Sequence, residues 1–379
     1  MKILLNTLGI QDSGGITVLD KVLEECKASE YDFYIYCNNN ENIKKLIDKY
    51  KEIKNFHFRK LQITNFLSRL YMENVVFKKV IAQYNIDLVY NFSGSAQFFL
   101  SVPQLTKVHN LLFYSKKIDS VYFQRREYIK WLQQIYFKRL VFHAMLRQVK
   151  YVEVQSSHVQ NAIGDFIDIT QKEFFIKSDI DVTQQSFLEP KSYDFSKKVR
   201  FLFIVGPHFE YLHKNFADFV GAMRLLQKTN LDFEIDITLT KEQLHNSELW
   251  DNALDRQTNF LGYIDTKKEA ATLFRENTVL ISTSVIETVG LHVIEAIQNG
   301  VVAIVPDELY AKSVYGDAIV TYDLFNRDSL VMSIESLFSL EPNKVQDIIR
   351  KNQQYIINNE NNKYQNVVDI FKKVEVENV

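Results

Sequence analysis

One stretch limits what this chain can fold into. It reads Ser284-Val285-Ile286-Glu287-Thr288-Val289-Gly290-Leu291-His292-Val293-Ile294-Glu295-Ala296 and runs through Gly300 into an apolar segment at 301–305. Another apolar run, 279–281, precedes it. Between the two runs, His292, Glu295 and Asn299 recur at i, i+3 and i+7 and share one helical face. Leu291, Ile294 and Ile297 form an apolar stripe on another face. A short helix is therefore expected to start near Gly290. Buried strand, glycine turn, helix and buried strand make a βαβ unit, which requires a parallel sheet covered by helices.

The polar residues of this unit suggest its chemistry. Ligands of such sheets bind beyond the carboxyl ends of the strands. The free N–H groups near Val289, Gly290 and Leu291 suit an anion there. Glu287 and Glu295 repel phosphate but accept hydrogen bonds from hydroxyls. A phosphate-binding turn flanked by hydroxyl acceptors matches a nucleotide sugar.

The rest of the chain repeats the same alternation. Candidate strands at 2–5, 33–37, 56–59, 87–91, 107–109 and 152–154 are separated by helical patterns. Those patterns include 67–84 and a long one at 122–149. A second series has strands at 200–205, 233–238, 279–282, 301–305 and 318–322. Helices at 343–357 and 364–374 close the chain, with a polar break at 358–362 between them. Hydrophobic residues make up 46% and charged ones 24% of 379 residues, which suits two globular domains. The only cysteines, Cys26 and Cys37, offer neither a disulfide framework nor metal spacing, consistent with a reducing cytoplasm. No apolar run is long enough for a transmembrane helix, and the first residues read as a strand. Residues 1–150 hold 23 Lys+Arg against 13 Asp+Glu, although the whole chain has a net charge of −2. A basic half beside an acidic one implies an anionic partner for the first.

The stretch from Glu287 to Val305 resembles the donor-site motif of retaining GT-B glycosyltransferases, in particular glycosyltransferase family four (glycosyl transferases group 1). The resemblance implies an α/β GT-B fold, two Rossmann-like domains facing a cleft, with the C-terminal helix crossing back to the N-terminal domain. The implied limits are 1–175 for an acceptor-side domain, 176–198 for a linker, 199–357 for the nucleotide-sugar domain and 358–379 for the returning helix. It assigns Glu287 to the sugar ring and Glu295 to the ribose hydroxyls, with Val289, Gly290 and Leu291 at the phosphates. Gly206 and Lys214 match the loop that clamps the donor diphosphate. That loop in the family also carries an arginine, absent here; His208 and His213 stand in the interval. Gly14 and Gly15 match the family's glycine loop, and His109 its histidine facing the transferred sugar.

No metal is expected. Asp179 and Asp181 form a D-x-D pair, but at the domain join rather than inside a nucleotide-binding first domain. Residues 122–150 interleave Arg125, Arg126, Lys130, Lys138, Arg139, Arg147 and Lys150 with aromatic side chains, against Glu127 alone. Such a segment suits an anionic membrane surface; no recognition module for nucleic acid accompanies it. The expected activity is retaining, metal-independent transfer of a hexose-like sugar from a nucleotide diphosphate sugar to a glycan or lipid-linked glycan. The setting would be bacterial surface polysaccharide synthesis, cytoplasmic or peripheral on the inner face of the plasma membrane. The alternative is a non-catalytic subunit of the same fold that binds glycan or a partner.

Overall fold

The structure is a computed structural model describing residues 1–10, 13–264, 272–359 and 364–378. Of the polar break expected at 358–362, residues 360–362 lie outside the described residues. The chain forms two compact units. Unit 1 takes Met1–Ser115, Tyr128–Asp179 and Glu360–Val379; unit 2 takes Lys116–Glu127 and Ile180–Asn359.

Unit 1 is built on β1 (Lys2–Thr7), β2 (Asp32–Asn38), β3 (Phe56–Leu61), β4 (Leu88–Asn91), β5 (Gln104–Val108), β6 (Tyr151–Val154) and β7 (Glu173–Ile176). They form one sheet in the order β3-β2-β1-β4-β5-β6-β7, with every pairing parallel. Strands β4, β5 and β6 are buried along their whole length, as helices on both faces require. The last helix, Val367–Glu377, packs on Ser13–Cys26 in this unit. Its Phe371 ring meets Phe33, Tyr90 and Tyr31. The C-terminus therefore does return to the first sheet.

Unit 2 contains β8 (Val199–Phe203), β9 (Phe233–Ile237), β10 (Thr258–Phe260), β11 (Thr278–Ile281), β12 (Val302–Pro306) and β13 (Val320–Tyr322). Their order is β10-β9-β8-β11-β12-β13, again parallel throughout. Two cores cover the faces of this sheet. One gathers Phe201, Phe216, Phe219 and Ile334; the other gathers Leu202, Val293, Ile297 and Tyr315. Strand order reverses between β8 and β11. The loops leaving these two strands thus diverge at the carboxyl edge, where a ligand can enter. In unit 1 the same reversal falls between β1 and β4.

The long helix expected at 122–149 is broken. Lys116–Gln124 is one helix; after Arg125–Glu127 the chain resumes at Tyr128 and continues through a π turn at Leu132–Tyr136 into Phe137–Arg147. Arg126 takes a left-handed conformation (φ 58) at the break, where the chain passes from unit 2 back to unit 1. Strands β7 and β10 were not expected. The first is a partly exposed edge strand, and the second has only three residues. Residues 180–198 group with unit 2, where Leu188 and Lys191 donate backbone hydrogen bonds to Gln298 and Gly300.

Unit 1 also buries an ionic network. Lys107, fully buried, donates to Glu153 at 2.5 Å and to Asp179 at 2.7 Å, and Tyr90 donates to Glu153 at 2.6 Å. Burial disfavours the Lys107 charge, but the two carboxylates outweigh it and raise its pKa. The network joins β4, β5 and β6 to the end of the first unit.

A candidate nucleotide-sugar site in unit 2

Two loops of unit 2 are held together beyond β8 and β11. Lys214 Nζ donates to Glu287 Oε1 at 2.9 Å across 73 residues of sequence. Backbone and hydroxyl bonds reinforce the join. Val285 N donates to the His213 carbonyl at 2.8 Å, and Thr283 Oγ1 to the Lys214 carbonyl at 2.8 Å. From the next helix, Leu309–Tyr315, two tyrosines brace the β11 loop. Tyr310 donates to the Ser284 carbonyl at 2.7 Å and Tyr315 to the Val289 carbonyl at 2.9 Å.

The helix expected near Gly290 runs Leu291–Gln298 with Gly290 as its N-cap. Gly290 sits in the left-handed region (φ 56), and a Cβ there would lie 2.2 Å from the Tyr315 hydroxyl. Only glycine satisfies both the turn and the brace. The first N–H groups of this helix lack intrahelical partners and carry the positive end of its dipole. Val293, Ile294, Ala296 and Ile297 are buried, while His292 and Glu295 are partly exposed on the polar face.

Electrostatics fix the charge states. Burial alone would raise the Glu287 carboxyl. The Lys214 and His292 charges, with hydrogen bonds from Lys214 and Ser284, outweigh it and hold the pKa at about 2. Glu287 is therefore an acceptor at any ordinary pH. Burial lowers His292 to about 4, the Lys214 charge adding to it and Glu287 opposing it. Its Nε2 lies 3.0 Å from Ser282 Oγ. Burial also brings His213 down to about 4, helped by Lys214. A neutral His213 does not supply the second positive charge that the missing arginine would bring. Gly206 is exposed in the loop after β8, and His208 stacks on Tyr211 at 5.0 Å.

The remaining expected residues lie in unit 1. Gly14 and Gly15 start the helix Ser13–Cys26, and a Cβ on Gly14 would meet nothing within 4 Å. His109 follows β5 and lines a cavity of about 220 Å³ with Gly9, Arg69, Asn110, Tyr114 and Lys138. Its Nδ1 is buried without a partner, and burial with the Lys107 charge lowers its pKa to about 4. Arg69, which carries no distinguishing sequence signal, also lines this cavity. It donates to Glu73 at 2.8 Å and to Ser93 and Ser95 at 2.8 and 2.7 Å. Within the helical pattern 67–84 nothing sets Arg69 apart from the lysines at 78 and 79.

The D-x-D pair is not arranged for a metal. Asp179 is held by Lys107 and by Gln155, whereas Asp181 accepts from Thr183 N at 3.0 Å. Among the described residues, no group of three or more His, Cys, Asp or Glu is placed to hold a metal ion.

Residues 187–355 match the family described as glycosyl transferases group 1. The match covers 169 of the 379 residues. Its limits enclose Lys214, Glu287, Gly290 and Glu295. Solved structures share the GT-B fold over nearly the whole chain. HepE of Anabaena, in complex with UDP and glucose, is 13% identical with a TM-score of 0.66, covering 99% of this chain and 98% of its own. A glycosyltransferase from Rickettsia africae is 15% identical with a TM-score of 0.61, covering 99% and 97%. The lipopolysaccharide outer core galactosyltransferase WaaB is 15% identical with a TM-score of 0.58, covering 94% and 99%. No curated protein matches the chain in sequence. The group 1 family transfers sugars from nucleotide donors, so the coarse activity is that of a glycosyltransferase.

The brace on Gly290 has a measurable consequence. Gly290→Ala forces a left-handed alanine, costing about 1–2 kcal/mol, and adds the clash with Tyr315. Tyr315→Phe removes the clashing oxygen. In urea unfolding, Gly290→Ala with Tyr315→Phe should be more stable than the sum of the single losses predicts. Strict additivity would contradict the contact.

Proposed function

We propose that the protein is a retaining hexosyltransferase that takes its sugar from a nucleotide diphosphate donor and delivers it to a glycan or lipid-linked glycan. The Lys214–Glu287 pair at the start of the helix Leu291–Gln298 is the observation that carries this reading. It sets a cation and helix N–H groups beside an ionised carboxylate. The first two suit a diphosphate; the third suits sugar hydroxyls. Lys214 and the N–H groups of Gly290 and Leu291 stabilise charge growing on the leaving diphosphate. Glu287 orients the sugar ring and Glu295 the ribose. The acceptor hydroxyl attacks from the face the diphosphate leaves, and the leaving phosphate oxygen takes its proton. On unit 1 the reading assigns His109 to the transferred sugar, and Gly14 and Gly15 to close backbone approach. HepE was solved with UDP and glucose, which favours a nucleotide-sugar donor, and WaaB is a lipopolysaccharide outer core galactosyltransferase, which favours a bacterial surface glycan.

Glu287→Ala and Glu295→Ala should each lower turnover at subsaturating donor by roughly ten- to hundredfold, the cost of losing a hydrogen bond to a charged group. Release of nucleotide diphosphate from a panel of nucleotide sugars measures it. Wild-type rates in both variants would contradict the donor assignment. No release from any donor by the parent would favour the non-catalytic alternative.

The membrane part of the reading rests on unit 1. Ile129, Phe137 and Leu140 are 72%, 60% and 51% exposed, near Lys130 in sequence. Arg139 is not one of the surface cations. It is buried, donates to the Ser115 carbonyl at 3.1 Å and lies 5.1 Å over the Phe166 ring. Among the described residues, no helix is long and apolar enough to cross a membrane. A surface of exposed apolar side chains with lysines suits the interface of an anionic bilayer, on the inner face of the plasma membrane. The triple variant Ile129→Ser, Phe137→Ser and Leu140→Ser should no longer sediment with vesicles containing phosphatidylglycerol. Equal sedimentation of variant and parent, or none by the parent, would remove this part.

A further inference from the structure

Unit 2 holds a second polar cavity, of about 450 Å³, that the donor reading does not use. Arg125, Asn215, Asp218, Arg327 and Asp328 line it. Two helices begin there: Phe216–Leu226, capped by Asn215, and Arg327–Phe338, capped by Asn326. Both bring the positive ends of their dipoles to it, and in the second the Asn326 side chain accepts from Ser329 N at 3.0 Å. Arg125 arrives on the segment Lys116–Glu127, which an ion pair between Lys117 and Glu308 fastens within the unit. Arg327 is placed by packing. A Cβ on Gly221 would lie 2.2 Å from its Cδ, so this glycine opens the groove in which the arginine stem rests.

Two further observations point to a ligand rather than a solvated crevice. Asn215 is 3% exposed, and its Oδ1 is buried with no hydrogen-bond partner, while its Nδ2 donates to Asp218 at 2.5 Å. A buried acceptor left unmet costs stability, which a ligand hydroxyl would restore. Asn215 and Phe325 both adopt left-handed conformations (φ 47 and φ 65) at the rim, strain that gathers at binding sites. The Phe325 N–H also bonds Asp218, at 2.9 Å, so the rim is a fixed hydrogen-bonded frame.

We propose that this cavity binds a hydroxylated oxyanion, a sugar acid or a sugar phosphate, with Arg125 and Arg327 on the anion and Asn215 Oδ1 and Asp328 receiving its hydroxyls. Guanidinium groups match carboxylate and phosphate in a bidentate fork. The acidic side chains discriminate against a bare anion, since they repel it unless hydroxyls intervene. In a sugar-transferring enzyme, this is a subsite for an anionic sugar distinct from Lys214, Glu287 and Glu295.

The test is calorimetric titration of the full chain, without nucleotide, by glucuronate, glucose 6-phosphate and glucose. Either anion should bind and glucose should not. The anion that binds more tightly tells a carboxylate source from a phosphate source. Arg125→Gln, an exposed position with little packing to lose, should weaken the anion at least about tenfold. Arg327→Gln should do the same, and Lys214→Ala should leave binding intact. No heat from either anion at millimolar concentration would overturn the proposal. So would equal affinity in the parent and Arg125→Gln, or loss of binding only in Lys214→Ala, which would place the ligand at the donor site. Because no turnover is measured, this outcome is separate from that of the donor reading.

Discussion

The contact between Lys214 and Glu287 is the constraint around which unit 2 is arranged. It joins the loop after β8 to the loop after β11, the two strands between which the order of the sheet reverses. Neither loop alone has a reason to hold its shape. Together they are closed by Val285 and Thr283 and braced by Tyr310 and Tyr315. A cation and a carboxylate are thereby kept, partly exposed, at a helix start. Their pairing costs little to exchange, since parting a partly exposed ion pair strands no charge away from solvent, as parting a fully buried one does. A donor with phosphate for one partner and hydroxyls for the other would divide them without leaving either unmet.

The buried ions of unit 1 play the opposite part. Lys107, Glu153 and Asp179 are wholly inside, and removing one partner would strand the rest. They join strands rather than meet ligands. This explains why the D-x-D pair, the one metal signature in the sequence, is structural. The apparent motif splits into a core acid, Asp179, and a turn acid, Asp181.

Much of this was legible in the residues because the relevant signals are local. Apolar runs at 279–281 and 301–305, Gly290 between them and the helical spacing of His292 and Glu295 lie within about one βαβ unit. They gave the strand-turn-helix geometry, and the alternation of apolar runs gave both sheets. What stayed hidden depends on distant partners. No sequence pattern announces that Tyr315 abuts Gly290, that Gly221 makes room for Arg327, or that Arg139 turns inward over Phe166. The break at Arg125–Glu127 carries no glycine or proline, so the helical pattern runs unbroken through the point where the chain changes unit. Strands β10 and β7, of three and four residues, give few positions from which to read a period.

The role of Lys214 is the most direct measure of the account. Negative charge on the diphosphate grows as the glycosidic bond breaks, so a fixed cation acts more strongly on the transition state than on the bound donor. With His213 neutral, the lysine carries that demand in its loop. Donor affinity by calorimetry and kcat by nucleotide release, compared for the parent and Lys214→Ala, separate the two effects. In Lys214→Ala, kcat should fall by roughly ten- to hundredfold, the worth of a hydrogen bond to a charged group, while donor Kd rises by much less. An unchanged kcat with a weakened donor would contradict it.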